Sequence, residues 1–164
     1  MKTTDCKPTL TDSQVLDFCR NGYLYLEGVV DDEVNLKATD YCNAEEHYEP
    51  SGILQEDWFI EGVILNEHAS GAIRSLLGAN FHLPVLMSNH RTKGLLDGFS
   101  GWHVDGNSMF SPAVNYLQVF YYPQDTPVEL GPTAVLPGSH LVHNRSRFMS
   151  HLNGIRGAVS LTSV

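Results

Sequence analysis

The sequence predicts a mainly β fold with flanking N-terminal helices, in one domain spanning residues 1–164. Three observations predict it. Capping residues followed by apolar positions at helical spacing occur only in the first half. Residues 84–137 hold short β-branched or aromatic runs separated by turn residues, the spacing of antiparallel strands in a sandwich or barrel. The chain is long enough for one core of ordinary size. The layout divides into a helical part, 1–80, and a strand-bearing part, 81–164.

Thr11-Asp12-Ser13-Gln14 is a capping box. Behind it Val15, Phe18 and Cys19 share one helical face, and Asn21-Gly22 supplies a stop. "YLYLEGVV" (23–30) reads as a strand. Asp31-Asp32 caps a second helix, in which Val34, Ala38, Tyr41 and Cys42 form the buried stripe and Pro50 lies beyond the end. "WFIEGVILN" (58–66) is strand-like, and "SGAIRSLLG" (70–78) is a helix closed by Gly78. "PVLMSNH" (84–90), "NYLQVFYY" (115–122) and "TAVLP" (133–137) are the later strands. A glycine-rich loop, "RTKGLLDGFSG" (91–101), precedes "WHVDG".

The net charge is −9, and apart from Arg145, Arg147 and Arg156 the basic residues are scattered. That balance disfavours nucleic acid, which needs clustered Lys and Arg, and an anionic membrane surface. No window approaches the ~20 apolar residues of a membrane span. Cys6, Cys19 and Cys42 form no CxxC pair and read as free thiols of a reducing compartment. "MKTTDCKPTLTDSQ" has no apolar h-region, and "LTSV" is not a peroxisomal signal, so a cytoplasmic location is expected.

His103-Val104-Asp105 carries the chemistry. In a strand, residues i and i+2 point to one face. An imidazole and a carboxylate so presented are two arms of the triad that holds non-haem Fe(II), leaving open positions for a cosubstrate and O₂. The same residues also fit a turn, since Asp105-Gly106 is a favourable turn dipeptide.

Trp102-His103-Val104-Asp105, the aromatic run 115–122, Glu129-Leu130-Gly131-Pro132 and Val135-Leu136-Pro137-Gly138-Ser139-His140 follow one another in that order. Together they resemble the phytanoyl-CoA dioxygenase family of Fe(II)/2-oxoglutarate oxygenases, with "NGYLYLEGVV" similar to the family's entry segment. The resemblance implies a double-stranded β-helix, a jelly-roll barrel of the cupin-like kind. It implies that His103 and Asp105 are iron ligands, and that 2-oxoglutarate is the cosubstrate, decarboxylated to succinate as a small organic metabolite is hydroxylated by O₂. Related iron halogenases carry a small residue at the carboxylate position, so Asp105 favours hydroxylation. Gln118 and Met87 fall on strands that line the cosubstrate pocket in the family; outward exposure for Gln118 and plain core packing for Met87 are the alternatives.

The family's third ligand, a later histidine, and its 2-oxoglutarate-binding arginine have no clear counterpart. His140 falls in the Pro-Gly-Ser-His turn, where the family residue is not a ligand. His143 and His151 lie in a polar stretch, "LVHNRSRFMSHLNG", as do Arg145 and Arg147, either of which could hold a carboxylate. Asn89 and His90 end the strand that carries Met87, and His47 and His68 read as surface residues. The expectation is therefore a C-terminally incomplete member, its jelly roll lacking the last strands. Two further readings are a non-catalytic remnant of the same scaffold and a cupin-like metal protein that closes its site with His140 or His143. An incomplete site predicts little or no iron-dependent succinate release from this chain in isolation. Robust turnover would instead reveal a substitute ligand.

Overall fold

The computed structural model describes residues 5–44, 51–83, 113–127, 132–141 and the backbone of 159–160. About half of the described residues are helical. Helix α1 (Asp12–Asn21) begins at a complete capping box: the Gln14 backbone N–H donates to the Thr11 hydroxyl, and the Thr11 N–H donates to the Gln14 side-chain oxygen at 2.9 Å. It ends at Gly22 in the left-handed conformation, φ 82°. Helix α2 is Asp32–Ala44, and its Ala38 is buried, with Val34, Tyr41 and Cys42 half-buried along the expected stripe. A 3₁₀ segment, Ser51–Gln55, leads into the single turn α3 (Asp57–Phe59), which runs on as a π-helix over Ile60–Ile64. Helix α4 is Glu67–Leu77, three residues longer at its start than the sequence predicts, because Asn66 is the cap. The Asn66 side-chain oxygen accepts from the backbone N–H groups of His68 and Ala69.

The expected mainly β jelly roll is overturned. Among the described residues the sheet structure is one short antiparallel pair, β1 (Ala134–Val135) with β2 (Val159–Ser160), in register Ala134↔Ser160 and Val135↔Val159. Residues 133–137 thus keep part of their expected strand. The runs 23–30 and 115–122 are irregular, 58–66 is helical, and 84–90 lies outside the described residues.

Each difference has a physical reason. In 58–66, the two fully committed core residues are Phe59 and Val63, four apart. That spacing puts them on one face of a helical turn, whereas in a strand they would share a face with Glu61. The Leu65 N–H donates to the Ile60 carbonyl at 2.7 Å, a bond across five residues that gives the π pitch. In 23–30, Gly28 has φ 62°, outside strand geometry. The carbonyls of Val29 and Val30 are taken by the side-chain amides of Asn66 (2.8 Å) and Asn35 (3.1 Å), so side chains replace a partner strand.

The core gathers where α2, α3 and the π segment meet. Ile53, Phe59 and Val63 form its centre, and Val30, Val34, Tyr41, Leu54, Trp58, Ile64 and Tyr121 pack around them. Burying each of the three central side chains contributes on the order of 1.5–3 kcal/mol. Phe59 meets Trp58 edge-on at 5.7 Å between centroids, and Tyr121 at 6.1 Å. Lys37 sits 4.6 Å over the Trp58 ring and caps the outer side.

Tyr121 pins the segment 113–127 to α2. Its hydroxyl donates to Asn35 Oδ1 at 2.8 Å, while Asn35 Nδ2 holds Val30. The Thr39 hydroxyl bonds the Asn35 carbonyl at 2.9 Å. Burial, with a smaller contribution from the nearby Cys42 thiol, pushes the Tyr121 hydroxyl from 10.0 up to about 12. The folded state therefore holds this proton more tightly than the unfolded chain does. The stability Tyr121 contributes is complete below pH 10 and is lost as pH rises through about 12. Tyr121→Phe should cost about 1–2 kcal/mol at neutral pH, because Asn35 Oδ1 loses its donor. In urea titrations from neutral to strongly alkaline pH, the gap between wild type and variant should narrow through that window. A gap independent of pH would show that the hydroxyl ionises freely in the folded chain.

Candidate functional site

Of the residues expected at an iron centre, His103 and Asp105 lie outside the described residues, as do Met87, Asn89, His90, His143, Arg145, Arg147 and His151. Gln118 and His140 are described. Gln118 is exposed in the irregular segment 113–127. His68 is exposed beside Glu67, its Nε2 3.7 Å from the carboxylate. Among the described residues no group of three or more His, Cys, Asp or Glu side chains could hold a metal ion.

His140 has a defined environment, built from two distant stretches of chain. The first is the end of α1. A helix leaves its last carbonyls without intrahelical donors. Here the Phe18 carbonyl accepts from the Gly22 N–H at 2.7 Å, which the left-handed turn at Gly22 aims backwards. The Cys19 and Asn21 carbonyls look elsewhere.

The second stretch supplies their donors. Pro137 is followed by Gly138 with φ 76°, and Ser139–Leu141 closes a 3₁₀ turn through Leu141 N–H to the Gly138 carbonyl at 3.1 Å. This turn places the Gly138 N–H 2.8 Å from the Asn21 carbonyl, and His140 Nε2 2.9 Å from the Cys19 carbonyl. A carbonyl oxygen only accepts, so the proton of that bond resides on Nε2. The imidazole lies flat against Gly22: a Cβ built there would meet His140 Nδ1 at 2.2 Å. Glycine is required twice at this position, once for its φ and once for the ring.

Nε2 is committed to a backbone carbonyl, and the ring atoms around Nδ1 lie against the bare Cα of Gly22. The sequence read Gly22 only as a helix stop. Its second role had no local signal, because the histidine that lies on it is more than a hundred residues away.

The described chain also satisfies its other backbone groups with side chains at long range. Ser75 Oγ accepts from the Thr9 and Leu10 N–H groups at 3.0 and 3.1 Å, and Arg74 Nε donates to the Cys6 carbonyl at 3.2 Å. Cys6, Cys19 and Cys42 are free thiols. Among the described residues no helix is long and apolar enough to cross a membrane. The chain matches no protein-family model, no curated protein and no solved structure.

The double demand on Gly22 can be separated. Gly28 shares a positive φ (62°) but has open space where a Cβ would sit. Gly28→Ala should therefore report the backbone cost alone, about 1–2 kcal/mol. Gly22→Ala should cost at least about 1 kcal/mol more, because it also displaces the ring and strips the Cys19 carbonyl of its donor. Thermal or urea unfolding of the two variants measures the difference. Equal losses would mean that the ring does not rest on Gly22 in solution.

Proposed function

We propose that this chain carries part of the active site of a non-haem iron oxygenase of the phytanoyl-CoA dioxygenase type, an enzyme that uses 2-oxoglutarate and O₂ to hydroxylate a small organic molecule. The observation that carries the reading is the ordered pair of motifs, Trp102-His103-Val104-Asp105 and Val135-Leu136-Pro137-Gly138-Ser139-His140, in one chain. The second motif supports it further through its local geometry. It is a tight turn whose histidine bonds to backbone, as a non-ligand histidine should.

His103 and Asp105 would hold the metal, one neutral imidazole and one carboxylate, a donor pair suited to Fe(II) with open coordination positions. When bound, iron with 2-oxoglutarate supplies the oxidising power, and the protein's tasks are to orient the substrate and keep water from the reacting face. Asp105 favours transfer of a hydroxyl, because as a metal ligand its carboxylate would take the position a halide needs. The acidic net charge of −9 and the lack of a clustered basic surface in the sequence fit a small-molecule substrate better than a nucleic acid.

Metal binding tests this reading directly, and it does not depend on turnover. Anaerobic titration with Fe(II) should give one site per chain, and 2-oxoglutarate should then bring up a weak visible charge-transfer band. His103→Ala and Asp105→Ala should each weaken Fe(II) binding by at least about tenfold, and His103→Ala should abolish the band. His140→Gln, which keeps a donor for Cys19, should leave both intact. Iron held equally well without His103, or lost with His140→Gln, would overturn the assignment.

A further inference from the structure

We propose that the contact between His140 and the end of α1 is a latch, which opens and recloses independently of the helical core. The proposal does not rest on the iron reading; it concerns how two parts of the chain are joined. The segment 132–141 carries β1, which pairs with β2 at residues 159–160. Its described hydrogen bonds to the helical part are the two at α1, Gly138 N–H to Asn21 and His140 Nε2–H to Cys19.

Three features make this joint a latch. It is small and peripheral: His140 and Leu141 are exposed, and α1 contains no buried residue. Its two described hydrogen bonds lie at a helix end, whereas the buried cluster of Ile53, Phe59 and Val63 belongs to the 3₁₀ segment, α3 and the π segment. Opening the joint leaves that cluster packed, so its cost falls below that of global unfolding. It also has a pivot and a seat. Gly138, at φ 76°, allows the turn, and the bare Cα of Gly22 receives the flat face of the ring. The closed state is chosen by one side-chain donor and one backbone donor acting on the last turn of the same helix.

Opening would free the Cys19 and Asn21 carbonyls to water and release 132–141 from α1, with α2, α3 and α4 unchanged.

Native-state hydrogen exchange on the full chain tests this. The reporters are the amides of Gly138, at the joint, and of Asn35 and Ser70, which bond to the Asp31 and Asn66 carbonyls at the starts of α2 and α4. After correction for intrinsic rates, Gly138 should be protected, yet exchange at least about tenfold faster than Asn35 and Ser70. His140→Ala should speed Gly138 a further two- to tenfold, about the worth of one hydrogen bond, and leave the other two unchanged. His140→Gln should restore Gly138 to within about twofold of wild type, since its amide nitrogen can reach the same carbonyl. The latch is refuted if Gly138 is unprotected, or if it exchanges in step with Asn35 and Ser70. It is also refuted if His140→Ala leaves Gly138 unchanged, accelerates all three amides together or prevents folding, or if His140→Gln behaves as His140→Ala does.

Discussion

The packing of Phe59 against Ile53 and Val63 organises the described helical part. Phe59 is almost fully buried, and no single element can enclose a ring of that size. It needs α2 on one side, the π segment on another and Tyr121 from a distant stretch of chain. That requirement explains local choices that look unrelated. The chain after Asp57 must coil so that Val63 returns to the face Phe59 occupies. Gly62 must be bare enough to admit Val34, whose methyl groups lie 3.0 Å from where a Cβ would stand. The π pitch follows, since it turns the chain by the extra amount that keeps Val63 in the core and still delivers Asn66 to its cap.

A second constraint is the satisfaction of backbone groups. With little sheet among the described residues, several main-chain donors and acceptors outside helices are met by side chains. Asn66, Ser75, Arg74 and His140 each reach across the chain to a backbone atom, and Asn35 reaches one five residues back. Such bonds contribute about 0.5–1.5 kcal/mol apiece. Their greater importance is geometric, for each fixes one irregular stretch against one helix. Asn35 serves Val30 with its amide, Tyr121 with its side-chain oxygen and Thr39 with its carbonyl.

These two constraints frame the functional reading. The helical part is a platform with its own core, and the turn that holds His140 is attached to its edge. The proposed ligands, His103 and Asp105, belong to the long stretch between α4 and Tyr121. Both ends of that stretch are anchored, by the Gly78 cap of α4 at one side and by Tyr121 on Asn35 at the other.

Helices α1, α2 and α4 were legible in the residues because their information is local. Thr11 and Gln14 are three apart, and the α2 stripe repeats every turn. Gly22 and Gly78 stand where a helix must change hand, and a capping side chain acts on its own neighbours. The run 58–66 was misread because a short apolar stretch with β-branched residues satisfies strand and helix alike, and only the partners of Phe59 and Val63 decide between them. The runs 23–30 and 115–122 were misread for a related reason. A strand exists only if another strand takes up its backbone groups, and here Asn66, Asn35 and Tyr121 provide other contacts. For the candidate site, the residues themselves disclosed which side chains have metal-binding chemistry, since that is a property of atoms. They could not disclose that His140 rests on Gly22, because that meeting joins positions more than a hundred residues apart. It arises from the folded path of the chain between them, which no local pattern encodes.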